Sequence, residues 1–552
     1  MIVSPAPLLI APGDRPAGNI RGTRSAAVAR NGMVATSQGL ASAAGLRILQ
    51  GGGNAIDAAV TAAAVLAVIE PSMNGIGGDL FAIVYDGTSR QAYGLDSSGR
   101  SAHRATPEEF ARRGLDALPP SGPLLVNVPG VVDGWHHLLQ RFGTMTLAQA
   151  LQPAIGYARD GFPVQQLMAA EWASAVPKLN LDTAAAATFL PSGRPPAEGD
   201  IFANPKLAAS LDLIARQGRD AFYTGDLARA IVRDLEARDG LLEMRDFADH
   251  AAEWVAPIRT NYRGYEVLEM PPSTQGFVAL EMLNVMEGFD VRGLGHNSAD
   301  YLHLVSEARQ LAFADRAAYL ADRSHMPAPL VARLLSKDYA TRRRTDIDMQ
   351  RAGTHSAGSP GSSGEVGGDD RGDTIYLSVA DRDGNVVSFI QSLFASFGAG
   401  IVAGDTGITL HNRGSGFVLT SGHPNQIGPH KRPLHTLVPA MVLKDGRPWA
   451  SFGVMGGDNQ AQAHAQVIAN LVDFGMNIQQ AGEAARVRHT GRSLLVESGI
   501  DAGVCASLER RGHVVEDGRG QMGGFQGIHI DAGTGVLMGG SDPRKDGLAI
   551  GW

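Results

Sequence analysis

The sequence predicts a layered α/β protein whose last third supplies much of the sheet. Three observations carry that expectation. Apolar residues at helical spacing dominate the first and middle parts, short alternating runs recur after residue 373, and glycine clusters punctuate the chain. Glycine makes up 69 of the 552 residues and falls in short groups rather than repeats. That distribution suits tight turns and close backbone approaches, and it excludes a collagen-like or low-complexity chain.

From Ser42 to Ile69, Ala, Leu and Ile recur at helical spacing in two segments broken by GGGN at Gly51–Asn54. Glu70-Pro71 ends the second, because proline disfavours a helical residue before it. Gly75, Gly77 and Gly78 then lead into LFAIVYDG, which reads as a buried strand closed by an Asp86-Gly87 turn. Tyr301 to Asp322 keeps its apolar residues on one helical face. Residues 352–373 are rich in Gly, Ser and Asp and have little to bury, so a mobile surface segment is expected there. After it come the strand-like runs TIYLSVA, VVSFIQS, TLVPAMVL, SFGVM, SLLVES, FQGIHI and GVLMGG.

Composition excludes several functions. A net charge of −8 gives no general attraction to nucleic acid or to an anionic membrane. The single cysteine, Cys505, rules out an intramolecular disulfide and a zinc site built from several thiolates, and is expected to be a buried, inert thiol. MIVSPAPLLIAPGDRPAGNIRG does not read as a secretory signal, and the most apolar stretch, Ala58–Ile69, falls short of the ~20 residues a membrane span needs. A cytoplasmic protein is expected. A Walker-type phosphate loop, a G-x-S-x-G elbow and an H-E-x-x-H pair do not occur, and the 16 His show no zinc spacing, so neither metal nor cofactor is expected.

The segment DTIYLSVADRDGNVVSFIQS carries the chemistry. DRDGN lies between two alternating runs, and a three-residue loop Arg382-Asp383-Gly384 would put glycine at the left-handed position such loops require. Asp381 would close on Asn385, and counting back sets Thr374 opposite Ser392 with both hydroxyls on one face. A two-residue Asp-Gly loop would shift the pairing by one and turn Ser392 away. DRDGN also resembles part of a calcium loop, but the remaining ligands and the glutamate at position 12 are missing. A threonine opening a strand is ordinarily structural. The polar run ahead of Thr374 suggests more. If the Asp373–Thr374 bond were cut, the new amine, with a pKa of about 7.7–8.0, would be a usable base where the amide was not. One residue would then hold both nucleophile and base.

Taken together, the blocks resemble the γ-glutamyltransferase family of N-terminal-nucleophile (Ntn) hydrolases, nearly end to end. GGGNAIDAAVTAAAVLAVIEPSMNGIGGDLFAIVYDG is similar to its N-terminal signature; VPGVVDGW, YRGYEVLEMPPSTQG and EARQLAFADRAAYL are similar to its middle blocks. DTIYLSVADRDGNVVSFIQS resembles the nucleophile block, followed by KRPLHTLVPAMVLKDGRPW and by GVMGGDNQAQAHAQVIANLVDFGMN with its Gly-Gly pair. The resemblance implies a four-layer αββα sandwich made as one inactive chain. Cleavage between Asp373 and Thr374 would give a large subunit, 1–373, and a small one, 374–552, forming a heterodimer with room for a dimer of these. Thr374 would attack a substrate amide, Ser392 would assist it, and the backbone N–H groups of Gly456 and Gly457 would hold the oxyanion.

Departures from the family pattern concern specificity. Where transpeptidases acting on glutathione hold the glutamyl α-carboxylate with an arginine, this chain has Ser98. The acidic residue that grips the α-amine falls on Gly416, and the paired serines become His435 and Thr436. The sequence is therefore similar to the oxamate amidohydrolase and cephalosporin-acylase-like branch. Arg413 and Arg100 are candidates for a substrate carboxylate, and each could equally be a structural ion-pair residue; His435 could line the pocket or pack in the core. The function implied is an autoprocessing amidohydrolase or acyltransferase acting on a small γ-glutamyl-like, glutaryl-like or oxamate-like amide. The alternatives are a non-catalytic or a glutathione-specific relative of the same fold.

Overall fold

A computed structural model describes residues 23–358 and 373–552. Two seven-stranded sheets face each other. The first runs, edge to edge, Leu548–Gly551, Gly32–Thr36, Asp373–Asp381, Val386–Phe394, Asp79–Asp86, Gln91–Ser97 and Glu253–Val255. In the second the order is Ala27–Ala29, Leu537–Ser541, Phe525–Ile530, Arg447–Val454, Ala440–Lys444, Tyr265–Glu269 and Ile258–Tyr262.

Side-chain alternation sorts the sheets into layers. In strand 373–381, Ile375, Leu377 and Val379 join a core shared with the outer helices, while Tyr376 and Ala380 point into a second core between the sheets. Strand 79–86 divides the same way, with Leu80, Ala82 and Val84 outward and Phe81, Ile83 and Tyr85 inward. A third core lies beyond the second sheet, under helices Gly276–Met286, Ala299–Tyr319 and Asn459–Val472. The layers are thus helix, sheet, sheet, helix, the αββα sandwich of Ntn hydrolases.

The helical pair at the start forms as the sequence suggests, over Gly39–Gln50 and Ala55–Ile69. Asn54 separates them for a physical reason: its Oδ1 accepts from the Ile56 and Asp57 N–H groups at 3.0 Å, and Asp57 Oδ2 accepts from the Asn54 N–H at 2.9 Å. This reciprocal cap satisfies donors that a helix start otherwise leaves unpaired. Ala55–Ile69 is buried along its whole length, as expected of a helix that is apolar all round. Among the described residues no helix is long and apolar enough to cross a membrane.

Some expectations needed correction. SLLVES does not enter the sandwich: Leu494–Val496 pairs with Val487–His489 and Val515–Asp517 in a separate three-stranded sheet. In TLVPAMVL the strand begins only at Ala440, after the proline that cannot donate to a ladder. Cys505 is half-buried on helix Ala502–Arg510 rather than enclosed. Residues 352–358, the first part of the segment expected to be mobile, are tied down. Ala352 N–H donates to Arg511 O (2.7 Å), Gly358 N–H to Asp315 Oδ1 (2.8 Å), and Ser356 O accepts from Arg343 (2.8 Å). Residues 359–372 lie outside the described residues.

Candidate active site

The loop after Asp381 decides the register. Asp381 N–H donates to Asn385 O at 3.1 Å, Gly384 has φ +85°, and Ala380 pairs with Val386. The three-residue loop is therefore the one formed. Asp381 is fully engaged: Oδ1 accepts from the Asp383 and Asn385 N–H groups (2.9 and 3.0 Å), and Oδ2 from the Ala55 N–H (2.9 Å) and from Asn385 Nδ2 (2.8 Å). That is a turn cap rather than a calcium ligand.

Followed back through six pairs, the register reaches Ile375 opposite Gln391, and Thr374 sits at an irregularity before Asp373 pairs with Phe394. Thr374 Oγ1 donates to Ser392 Oγ at 3.2 Å, and both residues are buried, with exposures of 2% and 0%. Ser392 Oγ also accepts from the Phe394 N–H at 2.7 Å, which fixes its rotamer. Gly78 makes the close packing possible, since a Cβ there would lie 2.4 Å from Ser392 O.

The second sheet packs against this strand pair and leads to the Gly-Gly pair. Ser378 Oγ and Ser451 Oγ lie 2.8 Å apart, and two residues on, a Cβ on Gly453 would fall 2.3 Å from the Tyr376 ring. The strand ends at Val454 and the chain runs on through Met455 to Gly456 and Gly457, where Gln275 Nε2 donates both to Gly457 O (3.1 Å) and to Thr436 O (2.9 Å). Both glycines have positive φ, +119° and +57°, so the chain turns sharply there into helix Asn459–Val472. Neither N–H donates a hydrogen bond among the described residues. Two such N–H groups ahead of a 14-residue helix form an electropositive point suited to an oxyanion.

Beside the hydroxyls is a buried charged group that the sequence reasoning only half located. Asp79, opposite Ser392 in the sheet, accepts from His435 Nε2 at 3.1 Å and from the Gly99 N–H at 2.9 Å. Arg413 Nε lies 3.8 Å and His411 Nδ1 3.7 Å from Asp79 Oδ2. Burial alone would raise the Asp79 carboxyl, but His411, His435 and Arg413 hold it well below the usual carboxylate range. Burial and the Arg413 charge push His435 down to about 3, so it is neutral. His411 is also lowered by burial; its Nδ1 accepts from the Arg413 N–H (3.2 Å), leaving Nε2 to donate to Asn127 O (2.9 Å). Arg413, 1% exposed, is lowered by burial to about 9, against the opposing pull of Asp79, and stays a cation at neutral pH. Its Nη1 donates to Thr436 Oγ1 (3.2 Å), and Nη2 lies 3.5 Å from Ser392 Oγ.

Asp79 and His411 were missed by the sequence reasoning. A signal existed for Asp79, because a carboxylate opening a wholly apolar strand needs buried partners. Ser98 and Arg100 sit in a different network. Ser98 Oγ donates to Asp96 (2.6 Å) and Ser98 O accepts from Arg432 (3.1 Å). Arg100 pairs with Glu253 (3.0 Å) and Asp322 (3.1 Å). Gly99 N–H on Asp79 links that network to the site.

Comparison with known proteins agrees with this fold. Residues 41–552 match the family described as gamma-glutamyltranspeptidase. The glutathione hydrolase-like YwrD proenzyme of Bacillus subtilis (strain 168) is 40% identical over 94% of this chain and 98% of its own. The oxamate amidohydrolase proenzyme of Klebsiella pneumoniae is 34% identical over 96% and 100%. A crystal structure of cephalosporin acylase from Bacillus halodurans superposes with a TM-score of 0.91 at 40% identity, covering 99% of both chains. The chain belongs to the gamma-glutamyltranspeptidase family and is an amidohydrolase or transpeptidase enzyme.

Proposed function

We propose that this protein matures by cutting its own Asp373–Thr374 bond and then hydrolyses a small amide whose acyl group carries a carboxylate. In maturation Thr374 Oγ attacks the Asp373 carbonyl carbon, the acyl group moves from nitrogen to oxygen, and water cleaves the ester. The products are a carboxylate on Asp373 and a free amine on Thr374. In catalysis that amine takes the Oγ proton as Oγ adds to the substrate carbonyl, and passes it to the leaving amine. Ser392 supports the attacking oxygen. Gly456 and Gly457 N–H groups hold the oxyanion, where losing one donor typically costs about 3 kcal/mol. Water, or an amine acceptor, then releases the acyl group.

Arg413 is the proposed anchor for the acyl carboxylate, with Thr436 and His435 shaping the pocket around it. The observation that carries this reading is the 3.2 Å approach of Thr374 to Ser392 beside a buried guanidinium whose Nε makes no hydrogen bond among the described residues. A short or dicarboxylic acyl group is proposed over a γ-glutamyl one; the name oxamate amidohydrolase supports it, whereas glutathione hydrolase among the relatives' names does not. Gly416 supports it too, since a side chain there would meet Leu434 O at 2.6 Å. We place the enzyme in the cytoplasm on its single cysteine.

The test is purification followed by end-sequencing and an amide panel. The smaller fragment should begin Thr-Ile-Tyr-Leu, and oxamate or glutaryl amides should turn over faster than γ-glutamyl-p-nitroanilide. An uncut chain that still hydrolyses amides would refute the mechanism.

A further inference from the structure

Helix Ala299–Tyr319 carries His303 and Glu307 one turn apart, so their side chains share a face. His513 reaches the same point from the turn that follows helix Ala502–Arg510. The donor atoms of these three residues lie within 4.8 Å of one another, and His303 Nδ1 is 2.8 Å from His513 Nε2. All three residues are buried, and the site around Thr374 uses none of them.

His303 and Glu307 are already aimed. His303 Nε2–H donates to the Asp348 carbonyl at 2.9 Å, which turns the Nδ1 lone pair towards His513. The Glu307 carboxylate is steadied by the Gly353 N–H (3.1 Å), Gln310 Nε2 (3.2 Å) and His355 Nε2 (2.7 Å). An imidazole anchored on a carbonyl through its second nitrogen, beside a carboxylate held by outer hydrogen bonds, is how proteins fix metal ligands. Two imidazoles and one carboxylate suit a zinc-type ion. His513 lies 210 residues beyond His303, so the three leave no compact spacing motif in the sequence.

We propose that His303, Glu307 and His513 bind one divalent transition ion of the zinc type, with water in the fourth position. The ion would fasten the chain before the 373–374 bond to the chain after it. If that bond is cut as proposed above, the ligands come from both subunits and the ion becomes a clamp between them. Two bonds of 2.0–2.1 Å at a tetrahedral angle separate the nitrogens by about 3.3 Å, so the His513 ring must withdraw by about 0.5 Å. The Nε2 proton that now faces His303 moves to His513 Nδ1; both rings stay neutral and no proton is lost.

The experiment is a titration of chelator-treated, full-length protein with Co²⁺, followed by Zn²⁺. One equivalent of Co²⁺ per chain should give the intense visible absorption of a four-coordinate site, and one equivalent of Zn²⁺ should abolish it. Zinc should also raise the unfolding midpoint. His513→Ala and Glu307→Gln should each weaken Co²⁺ binding by at least about 10–100-fold, the range seen when even an outer partner is lost. The wild-type titration needs no variant to fold, and failure to bind one equivalent of either ion overturns the proposal. Equal affinity in His513→Ala overturns it as well. Neither result depends on whether the 373–374 bond is cut, which a denaturing gel of the same sample reads separately.

Discussion

The Arg413 guanidinium lies over the face of Phe394, 4.2 Å from the ring centroid. Phe394 ends its strand with φ +79°, a region that strains a bulky residue, and such strain is held where a site needs it. The ring covers one face of the cation while Thr436 and Asp79 flank its edge, leaving Nη2 turned to Ser392. We expect Arg413→Lys to keep the charge but lose the planar fork. For an amide with a terminal carboxylate, KM should rise by about tenfold or more, or about 1.4 kcal/mol, with a smaller change in kcat. The neutral amide of the same length should be little affected. Equal losses on both substrates in steady-state assays would make Arg413 a positioning residue for Ser392.

Thr374 and Ser392 should separate in their effects. Thr374→Ala removes the attacking oxygen, so neither fragment nor turnover should form. Ser392→Ala leaves that oxygen in place and removes its partner at 3.2 Å, so cleavage should slow without being abolished. A time course on denaturing gels, with turnover measured on whatever matures, distinguishes the two. An alanine variant at 374 that matures normally would move the nucleophile elsewhere.

The difference between those two residues also shows what the sequence could reveal. Their pairing was legible because a strand has an integral period of two, so one glycine in the loop fixes every partner back to residue 374. The outer helices were legible because their apolar spacing is local. Four strands of the second sheet were legible as alternating runs, but their stacking on the first was not. Arg447–Val454 lies over Asp373–Asp381 through Tyr376 and Gly453, a contact between segments some 75 residues apart with no local signature. The Asp79 cluster was hidden for the same reason, since Asp79, His411, Arg413 and His435 meet only when three chain segments converge. Ser98 and Arg100 were expected there too, yet their side chains join Asp96, Glu253 and Asp322, two of which come from distant chain segments.

Gly416 offers a check on specificity. An added Cβ would lie 2.6 Å from Leu434 O, a backbone atom that cannot simply rotate away. Gly416→Asp should therefore cost about 1–3 kcal/mol of stability, the range for overpacking a filled site. It should not by itself confer γ-glutamyl transfer. Chemical denaturation of the variant tests the first point and a γ-glutamyl-p-nitroanilide assay the second. A stable variant with brisk transfer would show that this loop moves to accept an acidic anchor.

Glu70 should make stability depend on pH in the direction opposite to the buried histidines. It caps helix Ala55–Ile69, is 3% exposed, and accepts from Ser37 Oγ at 2.6 Å. Burial pushes its carboxyl from 4.5 up to about 8, against the opposing pull of Ser37 and Lys545. Between those values the folded state holds a proton that the unfolded chain has released. This contribution is fully present below 4.5 and is lost as pH rises towards 8. His250 and His435, which burial lowers from 6.5 to about 4 and about 3, behave in reverse: the unfolded chain binds their protons first, so stability falls as pH drops below 6.5. Glu70→Gln removes only the first effect. Relative to wild type, the variant should gain about 1–4 kcal/mol between about pH 5 and about pH 8, read as a widening gap in unfolding midpoints. A constant gap across that range would mean that Glu70 is already ionised in the folded protein, with Lys545 rather than burial controlling its charge.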